Sequence, residues 1–409
     1  MLDINFIREN IDVVKKGVGD KGYSVDLIDK LLEIDQKRRE LITKVDLLRQ
    51  QRNEIAAKKD IESGKKIKEE LQEIEPELGE LEKEFKTLLL QIPNIPSPDA
   101  PIGKDEKENK VIKEVGEKIN FSFTPKDHLE LGESLDIIDF ESASKVSGSN
   151  FYYLKNEGAM LEIALVHYAL DFLRAKAYTS IITPDLAREK YYLGTGYLPK
   201  GPEAQIYQIA DCDLGLIATS EITLAGMHAD STLDQLPKKY AGYSHCFRLE
   251  AGAYGKYSKG LYRVHQFTKV EMFAFTTPET SESIHLEFLK NEEEFFQSLE
   301  IPFRALEMCT GDLGSQAARK FDLEAWMPGR EDWGEVTSTS NTTDFQSRNL
   351  NIKFKQGEKS EFVHTVNGTL VATSRAIIAI LENFQQEDGS VKIPEVLQKY
   401  TGFSEIKPR

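Results

Sequence analysis

Charged side chains set into apolar, β-like sequence are the features of this chain that first point to chemistry. In Cys246-Phe-Arg248-Leu-Glu250-Ala-Gly252 an arginine and a glutamate stand at i and i+2, the spacing that puts both on one face of a strand. A glycine-containing segment with Lys256, Lys259 and Arg263 overlaps Gly260-Leu-Tyr-Arg-Val264-His-Gln-Phe267-Thr-Lys-Val-Glu271, so the pattern predicts strand, basic loop, strand. The three cations are candidate donors to phosphate or nucleic acid. Further on, Glu335 and Ser338 stand at i and i+3, a carboxylate and a hydroxyl of the hard-oxygen kind that Mg²⁺ takes. Arg375 opens a helix predicted over 376–382. Taken singly, each piece reads as surface ion pairs and satisfied polar residues; their joint occurrence argues for a site.

Other chemistries find no support in the sequence. There is no GxxxxGK[ST] loop, and Gly194-Thr-Gly196-Tyr-Leu-Pro199 lacks the third glycine of a dinucleotide loop. HExxH is absent, and the histidines show no metal-ligand spacing, which argues against zinc. Cys212, Cys246 and Cys309 are too few and too scattered for a disulfide framework, so a reducing, cytoplasmic compartment is expected. No run of apolar residues reaches membrane-spanning or signal-peptide length. With Lys+Arg 52 against Asp+Glu 68 the net charge is −16, so any nucleic-acid contact must use a local basic patch.

Two kinds of element must position these residues. Residues 27–92 carry dense charge, and Ile34, Leu41, Leu48 and Ile55, then Ile67, Ile74, Leu81 and Leu88, recur every seven residues. Leu71, Leu78, Phe85 and Ile92 form a second seam. These heptads predict an antiparallel coiled-coil arm, turning at Glu62-Ser-Gly64-Lys-Lys66 and kinked or restarted at Pro76. Nine cations on its first helix, among them Arg38, Arg39, Arg49 and Arg52, are either a solvated, internally paired face or a flank that meets phosphate. The proline-rich stretch 91–101 is a linker, which gives an N-terminal domain over 1–101 and a second domain over 102–409. Beyond it, an apolar helix over 158–176 and β-rich runs at 179–183, 262–267, 270–275 and 362–366 predict an α+β fold with an antiparallel sheet flanked by helices.

Together these segments resemble the class II aminoacyl-tRNA synthetases, and within them the seryl-tRNA synthetases. Phe247-Arg-Leu-Glu-Ala-Gly252 through Phe267 is similar to class motif 2. Asn367-Gly-Thr-Leu-Val-Ala-Thr-Ser-Arg375 with Ile380-Leu-Glu-Asn383 is similar to motif 3, and 169–184 to the dimer-forming motif 1. Ile92-Pro-Asn-Ile-Pro96, Val146-Ser-Gly-Ser149, Ala218-Thr-Ser-Glu221, Glu335-Val-Thr-Ser338 and Asp344-Phe-Gln-Ser-Arg348 are the seryl-type pieces.

The resemblance implies activation of L-serine with ATP and transfer of the seryl group to the 3′ end of serine tRNA, and of selenocysteine tRNA where present. It implies a homodimer that grips its tRNA with the coiled-coil arm and at the acceptor stem. By the same resemblance Arg248 holds the ATP α-phosphate, Glu250 sits beside the nucleotide, Val264 offers backbone to adenine and Phe267 stacks on it. Glu335 and Ser338 ligate Mg²⁺, and Arg375 clamps the γ-phosphate. Thr219, Glu221 and Glu271 surround the substrate ammonium while Thr369 approaches its hydroxyl. Lys256 and Lys259 stand where the family usually has arginines, Thr337 and Thr339 at small positions, and Asn150 where arginine is common. Two rivals remain: an amino-acid-activating enzyme of the same fold without tRNA specificity, which would lack the arm, and an inactive scaffold, against which Arg248, Glu335 and Arg375 argue.

Overall fold

The computed structural model describes residues 1–58, 60–197, 206–250 and 259–409. The chain divides into two compact units, Met1–Ile95 and Pro96–Arg409.

In the first unit, α1 (Ile4–Glu9) and α2 (Ile11–Asp20) lead into the long α3 (Asp26–Lys58) and α4 (Ile61–Gln91). Cross-helix pairs Lys30–Glu84 and Lys44–Glu70 show that α3 and α4 run antiparallel. Val45, Leu48, Leu71 and Ile74 form the buried seam, flanked by Leu41, Ile67 and Leu78. The predicted turn is displaced: Glu62–Lys66 are helical, and the reversal comes before Ile61. Asp60 accounts for this, because its carboxylate caps α4 by accepting the Ser63 N–H at 3.1 Å. Gly64 marks no break. Nor does Pro76 interrupt α4, since apolar packing against α3 continues on both sides of it at Ile74 and Leu78.

One charge ties α1 to this hairpin. The Asp35 carboxylate, 1% exposed, accepts from Arg8 Nε at 2.7 Å and Nη2 at 2.8 Å, and lies 3.1 Å from Arg38 and 3.2 Å from Arg39.

The second unit is built on an eight-stranded sheet: β1 (Lys110–Val115), β2 (Thr179–Ile182), β3 (Lys238–Phe247), β4 (Gln266–Thr276), β5 (Phe303–Glu307), β6 (Arg319–Met327), β7 (Asp332–Thr343) and β8 (His364–Ala372). Their order is β1-β5-β6-β7-β8-β4-β3-β2, antiparallel throughout except for the β3–β2 edge pair. The helices that matter for the site are α5 (His128–Ser134), α6 (Asn156–Ala175), α7 (Glu221–Met227), α8 (Ser281–Ser298), α9 (Phe345–Leu350) and α10 (Thr373–Asn383). Met272, Phe288, Phe295, Phe321, Val366 and Ile377, from β4, α8, β6, β8 and α10, share one apolar core.

Two of the sheet's register shifts lie beside the site. Between β6 and β7, Leu323 pairs with Thr337 but Glu324 with Glu335, so Val336 is an extra residue. Between β4 and β8, Val270 pairs with Val371 but Glu271 with Thr369, leaving Leu370 extra. Other expectations shift too. Residues 260–262 form a 3₁₀ turn, and β4 begins only at Gln266, because Gly260 takes a left-handed φ of 57° and Leu261 turns inward. The run 362–366 is split between two sheets at Val363.

Asp35→Ala is expected to destabilise the first unit by roughly 1–3 kcal/mol, moderated because the freed arginines reach water. Urea unfolding with hydrogen exchange over residues 1–95 checks this; unchanged protection of α1 refutes the anchoring role.

Candidate active site

The two bulges place the site's oxygen donors. On a regular strand, residues at i and i+3 face opposite sides. The extra residue at Val336 brings Glu335 and Ser338 to one cleft, and the one at Leu370 does the same for Thr369 and Ala372. This cleft, about 240 Å³, is also lined by Arg248, Glu250, Val264, Phe267 and Arg375.

Arg248 and Glu250 do not get there by strand alternation. β3 ends at Phe247, and Glu250 adopts φ 52°. Arg248 is pinned by its N–H donating to the His265 carbonyl at 2.9 Å, and its guanidinium lies 5.2 Å over the Phe267 ring. Among the described residues no carboxylate pairs with Arg248. Glu250 pairs with Arg263, and Lys259 with Asp127, so these two cations already have partners. Lys256 lies outside the described residues.

Arg375 sits in the first turn of α10. Its Nη1 is 2.9 Å from the Glu335 carboxylate and 3.0 Å from the Glu335 carbonyl, and the guanidinium lies 4.8 Å over the Tyr262 ring. Burial works against the charge on Glu335, but Arg375, Lys320 and Arg248 outweigh it and hold the carboxyl at about 2. The side chain is still 42% exposed, so it opens to the cleft. Among the described residues no group of three or more His, Cys, Asp or Glu side chains could hold a metal ion. Two hard oxygens, one firmly ionised, suit a cation that keeps waters or takes oxygens from a bound anion, as Mg²⁺ does. The threonines at unusual positions turn to other partners: Thr337 donates to Glu292 and Thr339 to the Asn367 carbonyl, each at 2.9 Å. Asn150 takes φ 61°, which asparagine tolerates, and its carbonyl accepts the His265 N–H at 2.9 Å.

Thr219, Glu221 and Glu271 are not on the cleft lining; they are buried, and the link to the cleft is Thr369, whose hydroxyl donates to Glu271 at 3.1 Å. Glu271 also pairs with Lys269 at 2.5 Å. Among the described residues Glu221 has only neutral donors: Gln346 at 2.6 Å, Asn367 at 2.9 Å and Tyr197 at 3.1 Å. Burial, then the charge of Glu271, push its carboxyl up to about 7. The result is a buried polar cluster with two carboxylates and, among the described residues, one compensating cation.

Sequence reasoning missed Gln346, Tyr197, Lys269, Tyr262 and Lys320 as parts of this site. Gln346 was within reach, because it is the centre of Asp344-Phe-Gln-Ser-Arg348. Tyr197 carried no signal, since it meets Glu221 only through the tertiary fold.

The antiparallel sheet with its arginine-lined cleft is that of a class II aminoacyl-tRNA synthetase core: residues 207–384 match the tRNA synthetase class II core domain of the G, H, P, S and T enzymes. Residues 1–96 match the seryl-tRNA synthetase N-terminal domain. The chain is 53% identical to a serine–tRNA ligase of Dictyoglomus turgidum, with 100% of both chains covered. Its structure superposes on seryl-tRNA synthetase of Pyrococcus horikoshii complexed with ATP (TM-score 0.93, 44% identity, 100% of each chain). It also superposes on the cytoplasmic serine–tRNA ligase of Naegleria fowleri in complex with AMP (TM-score 0.88, 35% identity, 100% and 99% covered). The chain belongs to the seryl-tRNA synthetase family.

Glu221 gives a pH signature. Its folded value of about 7 lies above the ordinary 4.5, so the folded chain holds a proton that the unfolded chain releases. This contribution to stability is fully present below pH 4.5 and is lost as pH rises to about 7. Without substrate, the stability difference between the chain and Glu221→Gln is expected to fall across that window in denaturant titrations. A constant difference refutes it.

Proposed function

We infer that the chain activates L-serine with ATP to seryl-adenylate and transfers the seryl group to the 3′ end of serine tRNA. The observation that carries this reading is the junction of an arginine-lined cleft with a buried pair of carboxylates through Thr369 and Glu271. In the first step a serine carboxylate oxygen attacks the α-phosphorus and pyrophosphate leaves. This calls for charge neutralisation rather than a protein nucleophile. Arg248 meets the α-phosphate, Arg375 the γ-phosphate, Phe267 and Val264 the adenine, and Glu250 lies beside the nucleotide. Glu335 and Ser338 hold Mg²⁺, which neutralises phosphate charge when bound. Glu221 and Glu271 receive the ammonium with Thr219, and Thr369 the hydroxyl. In the second step the terminal ribose hydroxyl of the tRNA attacks the adenylate carbonyl, the acyl–phosphate bond breaks, and AMP and the hydroxyl proton leave as the seryl ester forms.

The arm supports tRNA binding at its tip. Lys30, Lys44 and Arg49 are neutralised across the hairpin, and Arg38 and Arg39 hold Asp35. Arg52, Lys58, Lys65 and Lys68 cluster around the turn, exposed and without a carboxylate partner among the described residues. A homodimer is supported by apolar side chains on α6 and the open edge strand β2, with Ile163 59% and Ile182 78% exposed. Free Cys212, Cys246 and Cys309 favour a cytoplasmic setting, and no helix among the described residues is long and apolar enough to cross a membrane. The amino-acid-only rival does not explain the arm, whose residues fall within the match to the seryl-tRNA synthetase N-terminal domain.

The test is ATP–pyrophosphate exchange. Serine is expected to exceed alanine by about 10⁴–10⁵ in kcat/KM, because alanine leaves a buried polar partner unpaired; threonine falls between. Equal exchange with alanine or glycine defeats the seryl assignment. Arg52→Glu with Lys58→Glu is expected to leave exchange unchanged, weaken serine tRNA charging and flatten the salt dependence of tRNA binding by roughly one log–log unit per lost contact. Unchanged charging would show that the tip does not meet tRNA.

A further inference from the structure

The motif-3 string Ile380-Leu-Glu-Asn383 contains an acid that the reaction above does not use. Glu382, 2% exposed, lies on α10 seven residues beyond Arg375. Its carboxylate accepts from three donors: the His128 backbone N–H at 3.1 Å, His128 Nδ1 at 3.0 Å and the Gly329 N–H at 2.9 Å. The other nitrogen of His128, Nε2, lies 3.3 Å from the backbone N of Leu261. A backbone N–H can only donate, so Nε2 is the acceptor and Nδ1 carries the proton toward Glu382. His128 is 0% exposed, and a Cβ at Gly260 would come 2.3 Å from its Nε2, so nothing but glycine fits that approach.

The two ends of this chain meet on one ring. Leu261 is joined to Tyr262, which lines the cleft and carries the Arg375 guanidinium at 4.8 Å. Gly329 is joined to Arg330, whose guanidinium lies 5.4 Å over the same ring. Tyr262 therefore packs against both cations, and both backbone attachments lead back to Glu382.

We propose that Glu382 and His128 are positioning residues for ATP: through Leu261 and Gly329 they fix Tyr262 as the platform on which Arg375 is aimed at phosphate. The proposal rests on Arg375 acting as a phosphate clamp. It predicts a selective defect, because the buried carboxylates of the serine pocket are held by other residues.

The experiment is serine-dependent ATP–pyrophosphate exchange with KM and kcat resolved for each substrate. Arg375→Ala tests the underlying reading and should lower kcat/KM for ATP by about 10²–10³; a normal value there defeats the clamp itself. With the clamp established, His128→Ala is expected to lower kcat/KM for ATP roughly 10- to 100-fold while KM for serine stays within about twofold. His128→Gln can accept from Leu261 and donate to Glu382, and should recover much of the loss. Tyr262→Leu, which leaves the buried pair intact, should reproduce the defect, and its combination with His128→Ala should be less than additive. Normal ATP kinetics in folded His128→Ala, equal losses for serine and ATP, or additive losses in the double variant overturn the proposal.

Discussion

A surface that receives polyphosphate must hold several cations close together before the substrate arrives, and their mutual repulsion constrains everything else in this unit. The sheet meets the constraint by giving most cleft cations a carboxylate: Glu335 for Arg375, Glu250 for Arg263, Glu271 for Lys269 and Asp322 for Lys320. Arg248 is the exception among the described residues, resting instead on the Phe267 ring. Carboxylates that hold the cations in place also keep them from collapsing onto solvent-exposed acids. Pre-organisation of this kind lets charge be stabilised during the reaction without rearrangement.

The same constraint explains the two bulges. A flat antiparallel sheet presents every second residue, too sparse a pattern to gather a carboxylate, two hydroxyls and an arginine at one spot. Inserting Val336 and Leu370 aims i and i+3 side chains together, and the displaced residues go into the interior, where both are buried. The cost is a locally broken ladder. It falls next to the site, with Val336 and Leu370 packed into the apolar core.

The arm and the class of sheet were legible in the sequence because heptads and alternating apolar runs are local signals. Arg248, Glu250, Val264, Phe267, Glu335, Ser338, Thr369 and Arg375, singled out by type, line one cleft, but the geometry that brings them there was not legible. Glu335 and Ser338 read as a ligand pair by type, whereas the reason they face the same way is a register shift visible only against β6. Gly64 looked like the hairpin turn, yet the cap on Asp60 decided it. Residues 262–267 looked like a strand by composition, and a buried histidine from a distant helix holds their start in a turn instead. In each case a tertiary contact overrode a local preference.

The net charge of −16 and the proposed grip on tRNA are compatible because charge acts locally in salt. A 33-residue helix extends about 50 Å, whereas fields between exposed charges fade over about 8–10 Å at physiological ionic strength. Lys30 and Lys44 can thus be spent on hairpin stability lower on the arm without weakening the tip. At the turn the heptads run out and cross-helix partners with them, so Arg52, Lys58, Lys65 and Lys68 keep their charge available. Four exposed cations near the turn are thereby left out of the ion pairs that hold the hairpin lower on the arm, interspersed with Glu54, Asp60, Glu62 and Glu69.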